Sequence, residues 1–413
     1  MAQIKPFKGI RYNKEKVKPA DVVTQPYDKI TPAMQADYYN KNPYNVVKLI
    51  LNKEKDPYND AKKHLTEWLQ NDILTPQDNN PCIYPYFQEY ATPKGGTKTR
   101  KGFIALLKLE DFSTKIVLPH ERTLSGPKED RLKLLRATEA NMEQIFLLYP
   151  DAENSIMKLI DENIKNTTPL IDVCESYEKD VEHKVWKIDN QDVIAKIQKL
   201  MDPKSLLIAD GHHRYETSLN YMKENPNAKY IMATFIAIED PGLLILPTHR
   251  AMYGIKAENF IENAKEFFTV KECANKENLM SELDKAKSHS YGLYNGKFYF
   301  LTLKDESIID KFVEKDRTDE YRKLDVTVLH SLIIEKMLGI SKEAVARKEN
   351  IEYLRGLEDG IKGIDNKKYS LFFILNPTKM KEVSLIANKQ ETMPQKSTDF
   401  YPKLISGLVI NKL

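Results

Sequence analysis

Leu206-Leu207-Ile208-Ala209-Asp210-Gly211-His212-His213-Arg214 is the stretch that decides the fold, because a short apolar run passes directly into a polar one. The run 206–209 predicts a buried strand that delivers the chain to Asp210. Gly211 allows a tight turn, or the close approach of a ligand to the backbone. Apolar side chains then recur at helical spacing within 215–222, so the stretch predicts a strand, a glycine turn and a helix.

Short apolar runs alternate with helical patterns on both sides of this stretch, which predicts a mixed α and β fold. Further strands are predicted at 46–51, 83–90, 103–108 and 145–149. The run 230–238 is also a predicted strand, and it is expected to pair with 243–246 across Asp240-Pro241-Gly242 as the turn.

The length of 413 residues predicts two or three domains, because a domain usually holds about 150 residues. Residues 1–110 are expected to form an N-terminal α/β region. Residues 111–255 would form the core, with a helical insertion near 152–200. Residues 256–413 would form a C-terminal α/β region that packs back on the core.

Charge gives no indication of a nucleic-acid partner, because 63 basic residues stand against 60 acidic ones and the net charge is only +3. Proteins that bind nucleic acid usually show a basic excess or a basic tract. Hydrophobic residues make up 41% of the chain and charged residues 30%, a balance that can bury a core. A globular protein without a nucleic-acid partner is therefore expected.

Cysteine usage and hydropathy predict a cytoplasmic protein without a membrane partner. Cys82, Cys174 and Cys273 are far apart and form no CxxC pair, which supports neither a disulfide framework nor a structural zinc site. The N-terminus lacks the apolar stretch of a signal peptide. The longest apolar run, 230–238, is far shorter than the roughly 20 residues that span a bilayer.

The first turn of the predicted helix carries the candidate binding residues Gly211, His212, His213 and Arg214. Arg214 can fork onto two oxygens of a phosphate, and a helix N-terminus attracts anions. Positive side chains there oppose the helix dipole, and a bound anion would remove that conflict. The alternative is that Asp210 only caps the helix while the histidines satisfy hydrogen bonds in the core.

A dedicated metal site is not expected at this turn. Neighbouring helical side chains diverge by about 100°, so His212 and His213 would not face one ion together. A magnesium ion that arrives with a nucleotide is the better expectation, and Asp210 could help to place it.

A second polar segment, 118–131, precedes another predicted helix. Its His120 and Glu121 are candidate general bases, since either can take a proton from a hydroxyl. Arg122, with the cations at 128 and 131, could neutralise phosphate charge. The alternative is a solvated loop ahead of an ordinary helix N-terminus.

Two further segments are candidates for lining a cleft. His249 and Arg250 follow a predicted strand, although ordinary residues at a strand exit explain them equally well. Lys396, Ser397 and Thr398 resemble the end of a P-loop but lack the glycines that expose backbone amides. A Walker-type site is therefore rejected, while Lys396 could still reach a ligand.

These polar segments occur in an order that resembles an uncharacterised bacterial family, domain-of-unknown-function family 1015. The resemblance runs over essentially the whole chain. The segments that carry it are Ile4-Lys5-Pro6-Phe7, Pro26-Tyr27-Asp28, His120-Glu121-Arg122-Thr123, Asp210–Arg214, Pro247-Thr248-His249-Arg250 and Met393-Pro394-Gln395-Lys396-Ser397-Thr398. The pattern departs at Thr24-Gln25, where small residues or proline are commoner.

The Asp-Gly-His-His-Arg segment also resembles a box of ParB and sulfiredoxin-like proteins, a group that includes free serine kinases using ATP or ADP. This resemblance implies a ParB/sulfiredoxin-like core of mixed sheets with additional α/β subdomains at both ends. It implies that Asp210 corresponds to the aspartate of the box, and Glu121 is the candidate for an upstream catalytic glutamate. ATP or ADP with magnesium is the implied cofactor, and serine or phosphoserine the implied substrate.

Three functions follow from these expectations. The leading one is a small-molecule phosphotransferase, in which Glu121 deprotonates a hydroxyl and the 211–214 segment holds phosphates. The second is a nucleotide-binding regulatory or ParB-like partitioning protein without catalysis. The third is a phosphoserine phosphatase or a metal-dependent phosphoesterase. A homodimer is left open.

Overall fold

The computed structural model describes residues 1–93, 95–121, 125–287 and 289–413. The chain divides into two compact units. The first unit holds Met1–Pro119, Thr123–Leu244 and Pro402–Leu413, and the second holds the segment starting at His120 together with Ile245–Tyr401. The division into three regions that the sequence suggests stays a prediction.

Strands and helices alternate along the described residues. The strands are β1 (Ile4–Lys5), β2 (Ile10–Tyr12), β3 (Leu74–Pro76), β4 (Tyr84–Ala91), β5 (Thr97–Lys108), β6 (Val117–Leu118), β7 (Ala140–Asn141), β8 (Ile145–Tyr149), β9 (Ile171–Glu175), β10 (Glu178–Val185), β11 (Leu206–Asp210), β12 (Tyr230–Ala237), β13 (Leu244–Leu246), β14 (His249–Met252), β15 (Phe268–Cys273), β16 (Ser290–Tyr294), β17 (Phe298–Leu303), β18 (Ile351–Leu354), β19 (Leu371–Ile374), β20 (Asp399–Tyr401) and β21 (Asn411–Lys412). The α-helices are α1 (Pro19–Val22), α2 (Pro32–Lys41), α3 (Val47–Ile50), α4 (Pro57–Gln70), α5 (Ser125–Thr138), α6 (Ser155–Ile164), α7 (Gln191–Met201), α8 (His212–Glu224), α9 (Phe260–Ala264), α10 (Lys276–Lys285), α11 (Ile309–Phe312), α12 (Asp319–Arg322), α13 (Asp325–Val328), α14 (Lys342–Ala346), α15 (Leu357–Asp365) and α16 (Met380–Asn388). A π-helix, Leu329–Met337, continues α13 directly.

The first unit is built on a mixed sheet with the strand order β6-β11-β8-β12-β5-β4-β10-β9, to which β1 adds along β5. The pairs β11–β6 and β12–β8 are parallel, whereas β11–β8 and β12–β5 are antiparallel. Every residue of β8 is buried, and so is β11 up to Asp210. The mixed α and β fold expected from the sequence is confirmed.

β11 and α8 confirm the strand, the glycine turn and the helix that were predicted around residues 206–214. The strand ends at Asp210, Gly211 follows, and the helix begins at His212. A large apolar core under the sheet holds Ile208 and the helix residue Tyr215. Burial of these side chains fixes the direction in which the chain leaves the strand, and therefore the position of the polar turn.

The predicted strand at 46–51 is wrong, because the segment forms the short helix α3. Val46, Leu49 and Ile50 are buried in an apolar cluster, and the Asn45 side chain accepts a hydrogen bond from the Val47 amide at 3.0 Å. A short run that is buried on all sides has no periodicity to distinguish a helix from a strand. The hydrogen bond to Asn45 forms a local turn that is compatible with the start of a helix.

The predicted pairing of 230–238 with 243–246 is also wrong. β12 hydrogen-bonds to β5 along one edge and to β8 along the other, so both of its edges are occupied. The turn residues Asp240-Pro241-Gly242 were a correct signal for a reversal of the chain, but a turn does not determine which strand is the neighbour.

The second unit is built on an antiparallel sheet with the order β15-β17-β16-β19-β14-β18. The hairpin β16–β17 turns at Gly296, whose φ is +101°. One apolar cluster joins this sheet to the π-helix. Across the described parts of the chain, the helices are too short or too polar to cross a lipid bilayer.

Candidate functional site

Gly211 is required at the junction between β11 and α8. Its φ is +92°, a left-handed conformation that side chains with a Cβ rarely adopt. A Cβ there would lie 3.1 Å from Ile145 Cδ1 and 3.2 Å from Arg214 Nη2. The glycine therefore lets the Arg214 side chain fold back against the turn.

Asp210 does not cap α8, which corrects the alternative considered from the sequence. The N-cap residue is Gly211, and in the described structure α8 has no side-chain cap hydrogen bond. The amides of a first helical turn have no acceptor within the helix. The N-cap glycine therefore contributes no side-chain acceptor to the first turn of α8.

The Asp210 carboxylate is instead held by cations. Lys403 Nζ donates to its Oδ2 at 2.8 Å, and Arg214 Nη2 lies 3.9 Å from its Oδ1. Burial alone would raise the pKa of Asp210, but Lys403, Arg214 and Lys29 outweigh burial and hold that pKa well below its ordinary value. Asp210 is therefore ionised at every physiological pH.

Arg214 has part of its guanidinium committed and part unsatisfied. Nη1 donates to the Gln144 carbonyl at 2.6 Å. Nε is buried and has no hydrogen-bond partner among the described residues. Burial tends to lower the pKa of Arg214, while Glu143, Asp210 and Asp28 raise it, so the charge is retained. A buried charged donor without an acceptor is rare and calls for an explanation.

The two histidines of the turn differ in exposure. His212 is buried in the first unit, whereas His213 is half-buried. Both side chains have interactions, so the unsatisfied donor at this turn belongs to Arg214.

The segment Pro26-Tyr27-Asp28 packs in the same unit as this turn. The Tyr27 amide donates to Glu143 Oε1 at 3.0 Å, and the Arg131 guanidinium lies 4.1 Å from the centre of the Tyr27 ring. Asp28 is close enough to Arg214 to raise its pKa. The motif thus supplies the N-terminal side of the polar cluster.

Lys403 is a residue that sequence reasoning missed. The chain segment that carries it is fixed from β4 and β5, because Gln88 Nε2 donates to the Lys403 carbonyl at 2.8 Å and Arg100 donates to the Pro402 carbonyl. Arg100 is fully buried. No local motif marks Lys403, so a contact between residues 193 positions apart had no sequence signal.

His120 and Glu121 belong to the second unit. His120 is buried, and its Nε2 lies 2.8 Å from Thr398 Oγ1. Glu121 forms an isolated parallel bridge with Met393 and is half-buried. The structure therefore brings together two of the predicted segments. Arg122 lies outside the described residues.

Arg250 is buried, and its guanidinium donates to backbone carbonyls. Nη1 donates to the Thr248 carbonyl, and Nη2 donates to the Lys396 carbonyl at 3.1 Å. Burial lowers the pKa of Arg250 to about 10, and Glu121 opposes that change. The residue fixes the conformation of the 395–398 loop, and its predicted contact with phosphate stays a prediction.

His249 follows β13, which ends at Leu246 as expected, and it also begins the next strand, β14. Its Nδ1 accepts a hydrogen bond from the Leu375 amide at 3.2 Å, and burial lowers its pKa to about 3. The side chain is therefore neutral. Ser397 donates to the Pro394 carbonyl at 2.6 Å, whereas Lys396 is exposed at a φ of +57°.

Several solved structures resemble parts of this chain at low similarity. A conserved hypothetical protein from Pyrococcus furiosus is 14% identical, with 75% of this chain and 95% of that chain covered and a TM-score of 0.39. A free serine kinase in complex with AMP is 13% identical, with 72% and 86% covered and a TM-score of 0.39. SbnI from Staphylococcus aureus, truncated at its C-terminus, is 10% identical, with 74% and 86% covered and a TM-score of 0.36.

No curated protein matches the chain. The model of one sequence family matches residues 4–327, which is more than half of the chain. That family is described as a protein of unknown function, DUF1015. The order of polar segments predicted the same family, and the chain belongs to it.

Proposed function

We propose that the Asp210–Arg214 segment binds the phosphate groups of a small ligand. The observation that carries this proposal is the buried Arg214 Nε, a charged donor without an acceptor among the described residues, in the first turn of a helix. A phosphate oxygen would satisfy this donor, because arginine and helix N-termini are groups that proteins often present to phosphates.

The charge around Asp210 favours an anion in the same place. Lys403, Arg214 and Lys29 all act on the single Asp210 carboxylate. The backbone of Lys403 is fixed by a hydrogen bond from Gln88, so the lysine is already in position for a ligand. Pre-positioned cations lose little entropy on binding, which increases their contribution to affinity.

We further propose that the protein is a phosphotransferase acting on serine or phosphoserine, with ATP or ADP and magnesium. The resemblance of the Asp-Gly-His-His-Arg segment to the box of free serine kinases supports this finer assignment. With a pKa far below the ordinary value, Asp210 is a poor base, so its role would be to orient Lys403 or a magnesium ion. Glu121 is the proposed general base.

The test is direct. Purified protein would be incubated with L-serine, magnesium and either ATP or ADP, and phosphoserine would be measured by mass spectrometry. We expect turnover in the wild type and a loss of about 100-fold or more in Glu121→Gln, the range that general bases contribute. Asp210→Asn should lose turnover and weaken nucleotide binding together.

Glu153→Gln and Asp180→Asn are matched controls, because both positions are exposed in the first unit and neither belongs to a polar cluster described above. Both should keep wild-type rates. Absence of turnover in the wild type with either nucleotide, in the serine and phosphoserine directions alike, would refute the catalytic proposal. Saturable ADP binding without turnover would instead assign the regulatory, non-catalytic function.

A further inference from the structure

The second unit contains a cavity of about 240 Å³, enough for a small organic molecule. Side chains from the loop before α12, from α13, from the π-helix and from α14 line it, and residues 392–395 close one side. Residues 393–395 belong to the Met393–Thr398 segment, one of the segments that carry the family resemblance. Every residue of the lining belongs to this one unit.

Three polar atoms of the lining are buried without a hydrogen-bond partner in the described structure. They are Thr327 Oγ1, His330 Nε2 and Arg317 Nε. Thr327 is 2% exposed and His330 is 8% exposed, so water does not reach these side chains freely. Unsatisfied buried polar atoms number only a few per hundred residues in folded proteins, and three around one cavity indicate an absent partner.

The backbone conformation points to the same place. His330 and Glu335 lie on the π-helix, and Thr327 lies one turn earlier on α13. A π-helical turn is rare compared with an α-helical one and is found frequently at functional sites. Here it sets Thr327, His330 and Glu335 along a single cavity wall.

The charges of the lining are mostly paired with each other. Arg317 Nη2 donates to the Thr392 carbonyl at 3.2 Å, and Nη1 lies 3.5 Å from Glu391. Nε lies 3.9 Å from Glu314 Oε2, which is too far for a hydrogen bond, so it stays an unsatisfied donor. Lys342 also forms an ion pair with Glu314. The cavity lining therefore offers one unsatisfied guanidinium donor together with groups that can accept.

The acceptors are Glu335 and the neutral groups beside it. Burial raises the pKa of the Glu335 carboxyl, an effect that Lys342 opposes. Burial also lowers the pKa of His330 to about 3, which keeps the ring neutral at physiological pH. Thr327 Oγ1 can accept as well as donate.

We propose that this cavity binds a small zwitterion of the α-amino-acid class. Its carboxylate would accept from Arg317 Nε, and its ammonium would donate to Glu335 and Thr327. The valine, alanine and methionine side chains of the lining leave room for a short apolar side chain: Val313, Val345, Ala346 and Met393. The proposal uses residues of the second unit alone and does not depend on the phosphate site at Asp210.

The probe is L-2-aminobutyrate, titrated into the full-length protein by calorimetry. Butyrate, which lacks the ammonium, and propylamine, which lacks the carboxylate, are its matched analogues. We expect saturable binding of L-2-aminobutyrate and affinities for both analogues that are at least about tenfold weaker, because each loses a hydrogen bond to a charged group. Equal affinity for either analogue would overturn the zwitterion assignment.

Thr327→Val removes the hydroxyl at nearly constant volume and locates the site. Binding should weaken by about tenfold, while Thr327→Ser restores it. Thr269→Val makes the same change at an exposed position of the same unit and should bind as the wild type does. Asp210→Asn should also bind L-2-aminobutyrate normally, which separates this proposal from the phosphate site.

The melting temperature distinguishes a ligand site from a structural role. If the Thr327 hydroxyl awaits a ligand, Thr327→Val removes an unsatisfied buried group and should not lower the melting temperature of the free protein. A marked fall would show that the hydroxyl has a partner within the fold. That outcome, an undiminished affinity in Thr327→Val, or no binding to the wild type would each overturn the proposal.

Discussion

His-Arg occurs twice beside a strand, as His213-Arg214 after β11 and as His249-Arg250 at the start of β14. The two pairs look alike in sequence, but their guanidinium groups have different surroundings. Arg250 donates to carbonyls on both sides of its loop, whereas Arg214 donates to one carbonyl and turns its remaining edge towards a carboxylate.

The difference arises from the position of each arginine in its element. Arg214 stands in the first turn of a helix, behind a glycine in a left-handed conformation that lets the side chain fold back. Arg250 lies inside a strand, where its side chain leaves the sheet and meets the carbonyls of a neighbouring loop. The Nε of each arginine is buried without a hydrogen-bond partner among the described residues, so the difference lies in the other guanidinium nitrogens. Those of Arg250 donate to loop carbonyls and stabilise the fold, whereas Arg214 Nη2 lies 3.9 Å from a carboxylate in the first turn of a helix, where an anion can bind.

The largest expected difference between the two arginines is in the free energy of unfolding that each one contributes. Arg250→Met should lower the free energy of unfolding by about 3 kcal/mol, because it leaves several buried carbonyls without a donor. Arg214→Met leaves the Gln144 carbonyl without a donor and removes one of the cations near Asp210, but Lys403 still pairs with that carboxylate, so the cost should be smaller, about 2 kcal/mol. Urea unfolding of the two variants checks the ratio, and equal losses would show that Arg214 is as structural as Arg250.

Gly211→Ala is the next largest change. This substitution should lower the free energy of unfolding by about 2 kcal/mol, because the added Cβ strains the left-handed backbone and meets Arg214. Gly296→Ala has a similar φ, but its added Cβ would meet open space, so it should show the conformational part alone. A loss in Gly211→Ala no larger than in Gly296→Ala would remove the argument that Arg214 packs against the turn.

The order of the two arginines should be reversed for ligand affinity, because only the Arg214 substitution should weaken phosphate binding. Arg214→Met should weaken the binding of ADP by about tenfold, the effect of one charged hydrogen bond. Arg250→Met, measured on its folded fraction, should bind ADP as the wild type does. Titration by calorimetry is the measurement, and a reversal of the order would move the phosphate site to the second unit.

The smallest expected effect is a loss in the free energy of unfolding at acid pH. Lys403 and Arg214 depress the pKa of Asp210, so the stabilisation is complete above the unfolded pKa of about 3.9 and is lost as pH falls below it. Between pH 5 and pH 2.5 the wild type should lose about 1 kcal/mol more than Asp210→Asn, since the carboxylate is partly exposed. Identical acid curves for the two proteins would mean that the ion pair contributes no stability.

The sequence allowed the local part of the first site to be predicted. The junction 206–214 was recognisable because an apolar run, a glycine and a helical period stand in direct succession. It did not reveal Lys403 or Glu143, because their contacts with the 210–214 segment or with Tyr27 depend on tertiary packing. Long-range partners of this kind leave no periodicity and no spacing to read.

The errors have the same physical origin. The 46–51 run was assigned to a strand because complete burial removes the difference between the two periods. Strand 230–238 was recognised, but its neighbours were not, since pairing is decided by the whole sheet. His249-Arg250 was grouped with the cleft for its residue types, and the type of a side chain does not reveal that both Nη groups of Arg250 already donate to backbone carbonyls.

Lys403 has a consequence for the order in which the protein is made. Residues 402–413 belong to the first compact unit, although the whole of 245–401 is synthesised before them. During translation, β11 and α8 therefore leave the ribosome long before Lys403, which donates to Asp210. A nascent chain that has folded its first unit up to residue 244 has Arg214 and Lys29 near this carboxylate but still lacks Lys403, so the polar turn is completed only after residue 403 has been synthesised.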